Sequence, residues 1–146
     1  MEGWQVRRAV NWVNLSTPLG LLIGTVGGAR LTRGPRGIYV AGEFRLSLLQ
    51  ANAMTIGSVV ISKRAAPWVL ERPRLLAHEE RHAWQYAVCL GLPMLPLYVL
   101  GAAYSWVVCR NPGTLNPFER LADLADGGYP LTAAAARERH AARRTQ

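Results

Sequence analysis

The feature that most limits how this chain can fold is a run of 26 residues, Ala83 to Val108, without one charged side chain. A helix of that length can cross a bilayer once. The run is not uniform, because Gly91, Pro93, Pro96 and Gly101 lie inside it, and each is a place where a helix can kink or break. The flanking residues decide between a span and a fold-back. On the N-terminal side stands His78-Glu79-Glu80-Arg81-His82, in a stretch free of Pro and Gly from Arg74 to Leu90. On the C-terminal side, after Arg110-Asn111-Pro112-Gly113, stands Asn116-Pro117-Phe118-Glu119, with Asp123 and Asp126 beyond it.

The first flank reads H-E-x-x-H. Two His four residues apart on a helix share a face, so both imidazoles can reach one zinc ion. Glu79 then stands beside that ion and can take a proton from its bound water. The plain alternative is a solvated helix face of Glu, Glu, Arg and His with no metal. Catalytic zinc keeps three protein ligands, and the third is sought among Glu119, Asp123, Asp126 and His140. Glu119 is favoured, because it falls one turn before Asp123 on a helix predicted to start at Asn116 and end at Gly127-Gly128. Asp123 can then accept the free N–H of a ligand His. Asn116 and Glu119 also read as a capping box. His140 lies in a basic tail, where solvation or an oxyanion contact are its two options.

A single span would hold His78 and Glu119 on opposite sides of a membrane, roughly 30 Å apart. A shared zinc therefore requires the apolar run to return as a bent helical hairpin, broken between Gly91 and Gly101. Such a hairpin brings Cys89 toward Cys109. It can form a buried core, or it can dip into a membrane with arginines at the surface; the second is the expectation here.

HEERH followed by NPFERLADLAD resembles a gluzincin-type zinc metallopeptidase, and the continuation His82-Ala83-Trp84-Gln85 is similar to the H-E-x-x-H-x-x-Q form of small bacterial members of that clan. The resemblance implies Zn2+ held by His78, His82 and Glu119, Glu79 as general base, Asp123 behind a ligand His, and a peptide or protein substrate. It implies a minimal core in which an edge strand lies above the active-site helix and a glutamate helix follows. Met54 to Ser62 (MTIGSVVIS) would be that strand, binding extended peptide by strand addition. The motifs span residues 78–126, and the strand extends the match to 54. Tyr104, Tyr129 and His140 are the candidates for steadying an oxyanion. Gln85, three residues beyond His82, is expected to position a neighbouring loop through a hydrogen bond. A metal-binding scaffold without catalysis, or a small membrane protein, are the rival classes.

The rest of the chain fits a single domain of mainly α class with a small β element (α+β): an N-terminal apolar and strand region over 1–50, the core over 54–128 and a basic tail over 133–146. In the first region Thr17-Pro18 predicts a helix start, Gly27-Gly28 its end, and 33–37 a turn. Short strands are expected at Gly37–Val40 and Phe44–Leu48, a helical turn at Pro67–Glu71 and a helix at Ala133–Arg144. The formal net charge is +8, and 16 of the 17 basic residues are Arg. They cluster at Arg7-Arg8, Arg30 to Arg36 and Arg137 to Arg144. No aromatic residue interleaves with the tail arginines and no nucleic-acid motif occurs, so anionic lipid or plain solvation is expected over nucleic acid. Two Cys make no disulfide framework, and no secretory signal is convincing. The expected location is membrane-associated, from the cytoplasmic side.

Overall fold

The computed structural model describes residues 2–47 and 51–145. These divide into two compact units, residues 1–92 and 93–146. The first holds helices α1 (Gly3–Val13) and α2 (Ser16–Val26), strands β1 (Arg30–Arg33) and β2 (Tyr39–Gly42), and a 3-10 turn (Pro35–Gly37) between those strands. It continues with β3 (Ala53–Ile56), β4 (Val59–Ser62), α3 (Ala66–Leu70) and α4 (Pro73–Val88). The second holds α5 (Met94–Cys109), α6 (Pro117–Leu121) and α7 (Ala133–Arg144). The fold is mainly α with one small mixed sheet, as expected from the sequence.

The sheet runs in the order β1-β2-β4-β3. β2 and β4 are parallel, and the two outer pairings are antiparallel. β4 is central and buried along its whole length, and removal of Val60 or Ile61 from water contributes about 1.5–3 kcal/mol each. Val60 joins Ile38, Val40, Val69, Leu76 and Ala83 in the core, so α3 and α4 cover one face of the sheet. α2 also lies close to the sheet. A Cβ at Gly20 would come within 2.5 Å of the Ile56 carbonyl oxygen, and one at Gly24 within 2.9 Å of the Ala41 Cβ. Two glycines one turn apart thus let the helix axis approach the strands.

MTIGSVVIS is two strands rather than the one expected. Ile56 pairs with Val59 across Gly57-Ser58, a two-residue hairpin. Gly57 has φ +62°, a region that favours glycine, and a Cβ there would strike the Thr17 amide at 2.4 Å. Ser58 N–H donates to Thr17 Oγ1 at 3.1 Å, fastening the hairpin to the first turn of α2. Residues 44–47 form no strand, and Leu48 lies outside the described residues. β1 falls in a segment for which no strand was expected; its four residues are all exposed, so no buried face marks it in the sequence.

In the second unit the Asn116 side chain accepts the Phe118 N–H at 3.1 Å and caps α6. α6 ends at Leu121, well short of the expected Gly127. Asp123 takes φ +77°, and its Oδ1 accepts the amides of Ala125 and Asp126 at 3.0 and 3.1 Å. A short acidic side chain that binds backbone ahead of it competes with the helix ladder and stops it. The helix break within the apolar run falls at residues 89–93, at the near edge of the expected region. Pro96 and Gly101 do not break α5. Pro96 is in the first turn, where no backbone donor is required. A Cβ at Gly101 would meet Asn116 Oδ1 at 2.5 Å, so the glycine is there for closeness to α6. Ser105 joins α5 to the following loop, donating to the Asn111 carbonyl at 2.6 Å and accepting the Leu115 N–H at 2.8 Å. Among the described residues no single helix is long and apolar enough to cross a membrane.

Candidate metal centre

α4 carries HEERH on a continuous helix, and consecutive residues of the motif face different neighbours. His78 and His82 are both buried, with Nε2 atoms facing each other at 3.1 Å. His82 Nδ1 lies 2.8 Å from Gln85 Oε1, one turn further along the helix. An amide oxygen can only accept, so this contact places the proton on Nδ1 and leaves the Nε2 lone pair toward His78. Gln85 thus fixes the orientation and tautomer of His82.

Glu79 is buried, and its Oε2 accepts the Thr55 hydroxyl at 2.7 Å. Thr55 is on β3, which lies at one edge of the sheet. Glu80 turns to a third neighbour. Its carboxylate accepts Arg7 at 2.6 Å from α1, and Arg36 through Nε at 2.9 and 3.0 Å. Burial works against the charge on Glu80, but the hydrogen bonds and charges of Arg36 and Arg7 outweigh it and hold the carboxyl below its ordinary pKa. Arg36 is correspondingly raised by the hydrogen bond and charge of Glu80.

In the second unit Glu119 is buried and its Oε1 accepts two phenols, Tyr98, and Tyr129 at 3.3 Å. Burial pushes the Tyr98 hydroxyl well above its ordinary pKa, and Tyr129 and Glu119 push it further, so it stays protonated as a donor. Tyr129 was expected only as an oxyanion candidate. Tyr98 carried no sequence signal beyond being a polar-tipped aromatic in a charge-free run.

One ligand atom each of His78, His82 and Glu119 lies within 4.8 Å of the others, and this buried group could hold a metal ion. The donor set, two imidazole nitrogens and one carboxylate oxygen, is one that zinc accepts with a fourth position left open. Asp123 is exposed. His140 packs edge-on against Trp106 with ring centroids 5.6 Å apart, and Tyr104 is exposed. Cys89 and Cys109 are both free thiols. Comparisons with protein-family models, with curated proteins and with solved structures find no match to this chain.

Proposed function

We propose that this protein is a zinc-dependent, metallopeptidase-like hydrolase of gluzincin type. The observation that carries the reading is the His78–His82 pair, held face to face at 3.1 Å, together with Glu119 in one buried group. Glu79, next to the first His and held by a hydroxyl from an edge strand, supports it. A zinc bound to this group supplies a Lewis acid for the scissile carbonyl and a bound water of lowered pKa. Glu79 takes the proton of the attacking water and passes it to the leaving amine. Thr55 orients that carboxylate. β3 offers its outer edge to an extended peptide, which adds as a further strand beside Thr55 and so beside Glu79. Tyr98 and Tyr129 hold the Glu119 carboxylate in one orientation, and Gln85 holds His82 in the tautomer that offers Nε2.

Elemental analysis of purified protein tests the proposal. The wild type should carry one zinc per chain, and His78→Ala, His82→Ala and Glu119→Ala should each lose most of it. A wild type without zinc, or full retention in both His variants, refutes the site. Zinc without turnover of any peptide would leave a metal-binding scaffold.

A further inference from the structure

Two leucines of the first unit occupy backbone that leucine disfavours. Leu15, between α1 and α2, has φ +68°, and Leu90, just past α4, has φ +58°. The left-handed region belongs to Gly and Asn, and a bulky residue there needs compensation. Burial does not supply it, since Leu15 is 59% and Leu90 76% exposed. Their neighbours Val13 and Val88 are 83% and 77% exposed.

The two turns meet at one end of the unit. Asn14 Nδ2 donates to the Tyr86 carbonyl at 3.3 Å, and a Cβ at Gly91 would lie 2.6 Å from Asn14 Cγ. No Asp, Glu, Lys or Arg occurs over residues 9–29 or 83–109. Several backbone donors at this end are satisfied internally. Leu15 N–H reaches the Trp12 carbonyl at 3.3 Å, Ser16 N–H the Asn14 side chain at 3.1 Å, and Gly91 N–H the Tyr86 carbonyl at 2.7 Å. Such satisfaction is needed where water is absent. On α1 the tip is backed by Trp12, 39% exposed, and then by the exposed Arg8. At a helical rise of 1.5 Å per residue, Arg8 stands about 8 Å behind Val13. That is the depth to which an interfacial element sinks, with an indole at the headgroup boundary and a cation at the phosphates.

We propose that this end of the first unit is a lipid-inserting tip that seats the protein on an anionic bilayer. Val13, Leu15, Val88 and Leu90 enter the acyl region, Trp12 lies at the boundary, and Arg8 faces lipid phosphates. The +8 net charge of the chain favours the anionic surface. The inference is independent of the metal reading.

Flotation of the full chain with phosphatidylcholine/phosphatidylglycerol vesicles tests it, with Leu15→Asn and Leu90→Asn alone and combined. Asn tolerates positive φ, so the Tm of these variants should equal or exceed that of the wild type while vesicle partition of the double variant falls at least about tenfold. Val13→Ser with Val88→Ser, on helical backbone, should reproduce the fall without touching either turn. The proposal is overturned if the wild type does not float, or if both double variants float as well as it does. It is also overturned if light scattering without lipid shows a stable dimer that the Asn double variant dissociates, because a second copy would then cover the tip.

Discussion

Replacing Glu80 by Gln should destabilise the fold, because this carboxylate ties α4 to α1 and the 3-10 turn. The carboxylate is 14% exposed and binds two cations of different character. Arg36 is 51% exposed, so its arm of the cluster contributes only about 0–1 kcal/mol. Arg7 is fully buried, and its other polar partners among the described residues are the Arg36 carbonyl and the face of Trp84 at 5.8 Å. Removing the charge opposite a buried guanidinium costs about 3–5 kcal/mol. The Gln amide can still accept one hydrogen bond, which brings the expectation to about 2–4 kcal/mol of a total near 5–15 kcal/mol. For a chain of this size that lowers Tm by roughly 6–15 °C. Thermal and urea unfolding followed by circular dichroism, with a chelator present so that metal release does not contribute, gives the number. The sign with pH follows from the depressed carboxyl: its contribution is present above the unfolded value of about 4.3 and is lost as pH falls through the folded value. The gap between wild type and Glu80→Gln should therefore narrow in acid. A Glu80→Gln variant within about 0.5 kcal/mol of wild type at neutral pH, or a gap that widens in acid, refutes the reasoning.

Glu79→Gln should keep its zinc and lose hydrolysis, because an amide cannot take the water's proton; peptide cleavage at the wild-type rate would remove Glu79 from the mechanism. Gln85→Ala should keep the fold and weaken zinc binding by about 10–100-fold in chelator competition, since His82 loses the acceptor that fixes its tautomer; unchanged affinity would show that the helix alone orients the ring.

The parts of the fold legible in the sequence are those set by local chemistry. α2 starts at Ser16, two residues before the expected Pro18, and ends at the expected Gly27, Pro73 opens α4, and α7 covers the expected Ala133–Arg144. The parts missed depend on partners far along the chain. The hairpin at Gly57-Ser58 is hidden because Ile56 and Val59 belong to one apolar run, and its Gly-Ser pair is a turn signal only once two strands are already assumed. α6 was read too long because LADLAD keeps a helical pattern through Asp123, whose side chain binds the backbone ahead instead. At the site, the H-E-x-x-H spacing and the glutamate after the apolar run were legible from residue type and interval. The supporting groups were not, since Thr55, Arg7 and Tyr98 carry no spacing relation to the motif.

Those supporting groups explain how one helical turn can be both buried and polar. A helix advances each side chain by about 100°, so His78, Glu79 and Glu80 must face three directions. His78 shares its stripe with His82 and Gln85, and the stripe closes on itself through the Nε2 pair and the Nδ1 contact. Glu79 turns to the Thr55 hydroxyl of β3, and Glu80 to the guanidinium groups of Arg7 and Arg36. Each acid thus has a partner of its own, from a different element, and neither needs the other's. The assignment separates their chemistry. Glu80, held between two cations, is committed to holding α4 against α1 and the 3-10 turn. Glu79 accepts the neutral hydroxyl of Thr55 on its Oε2, and a neutral donor orients a carboxylate without neutralising it. In H-E-E-R-H the anchoring thus falls to the second Glu, and the proposed proton transfer to the first.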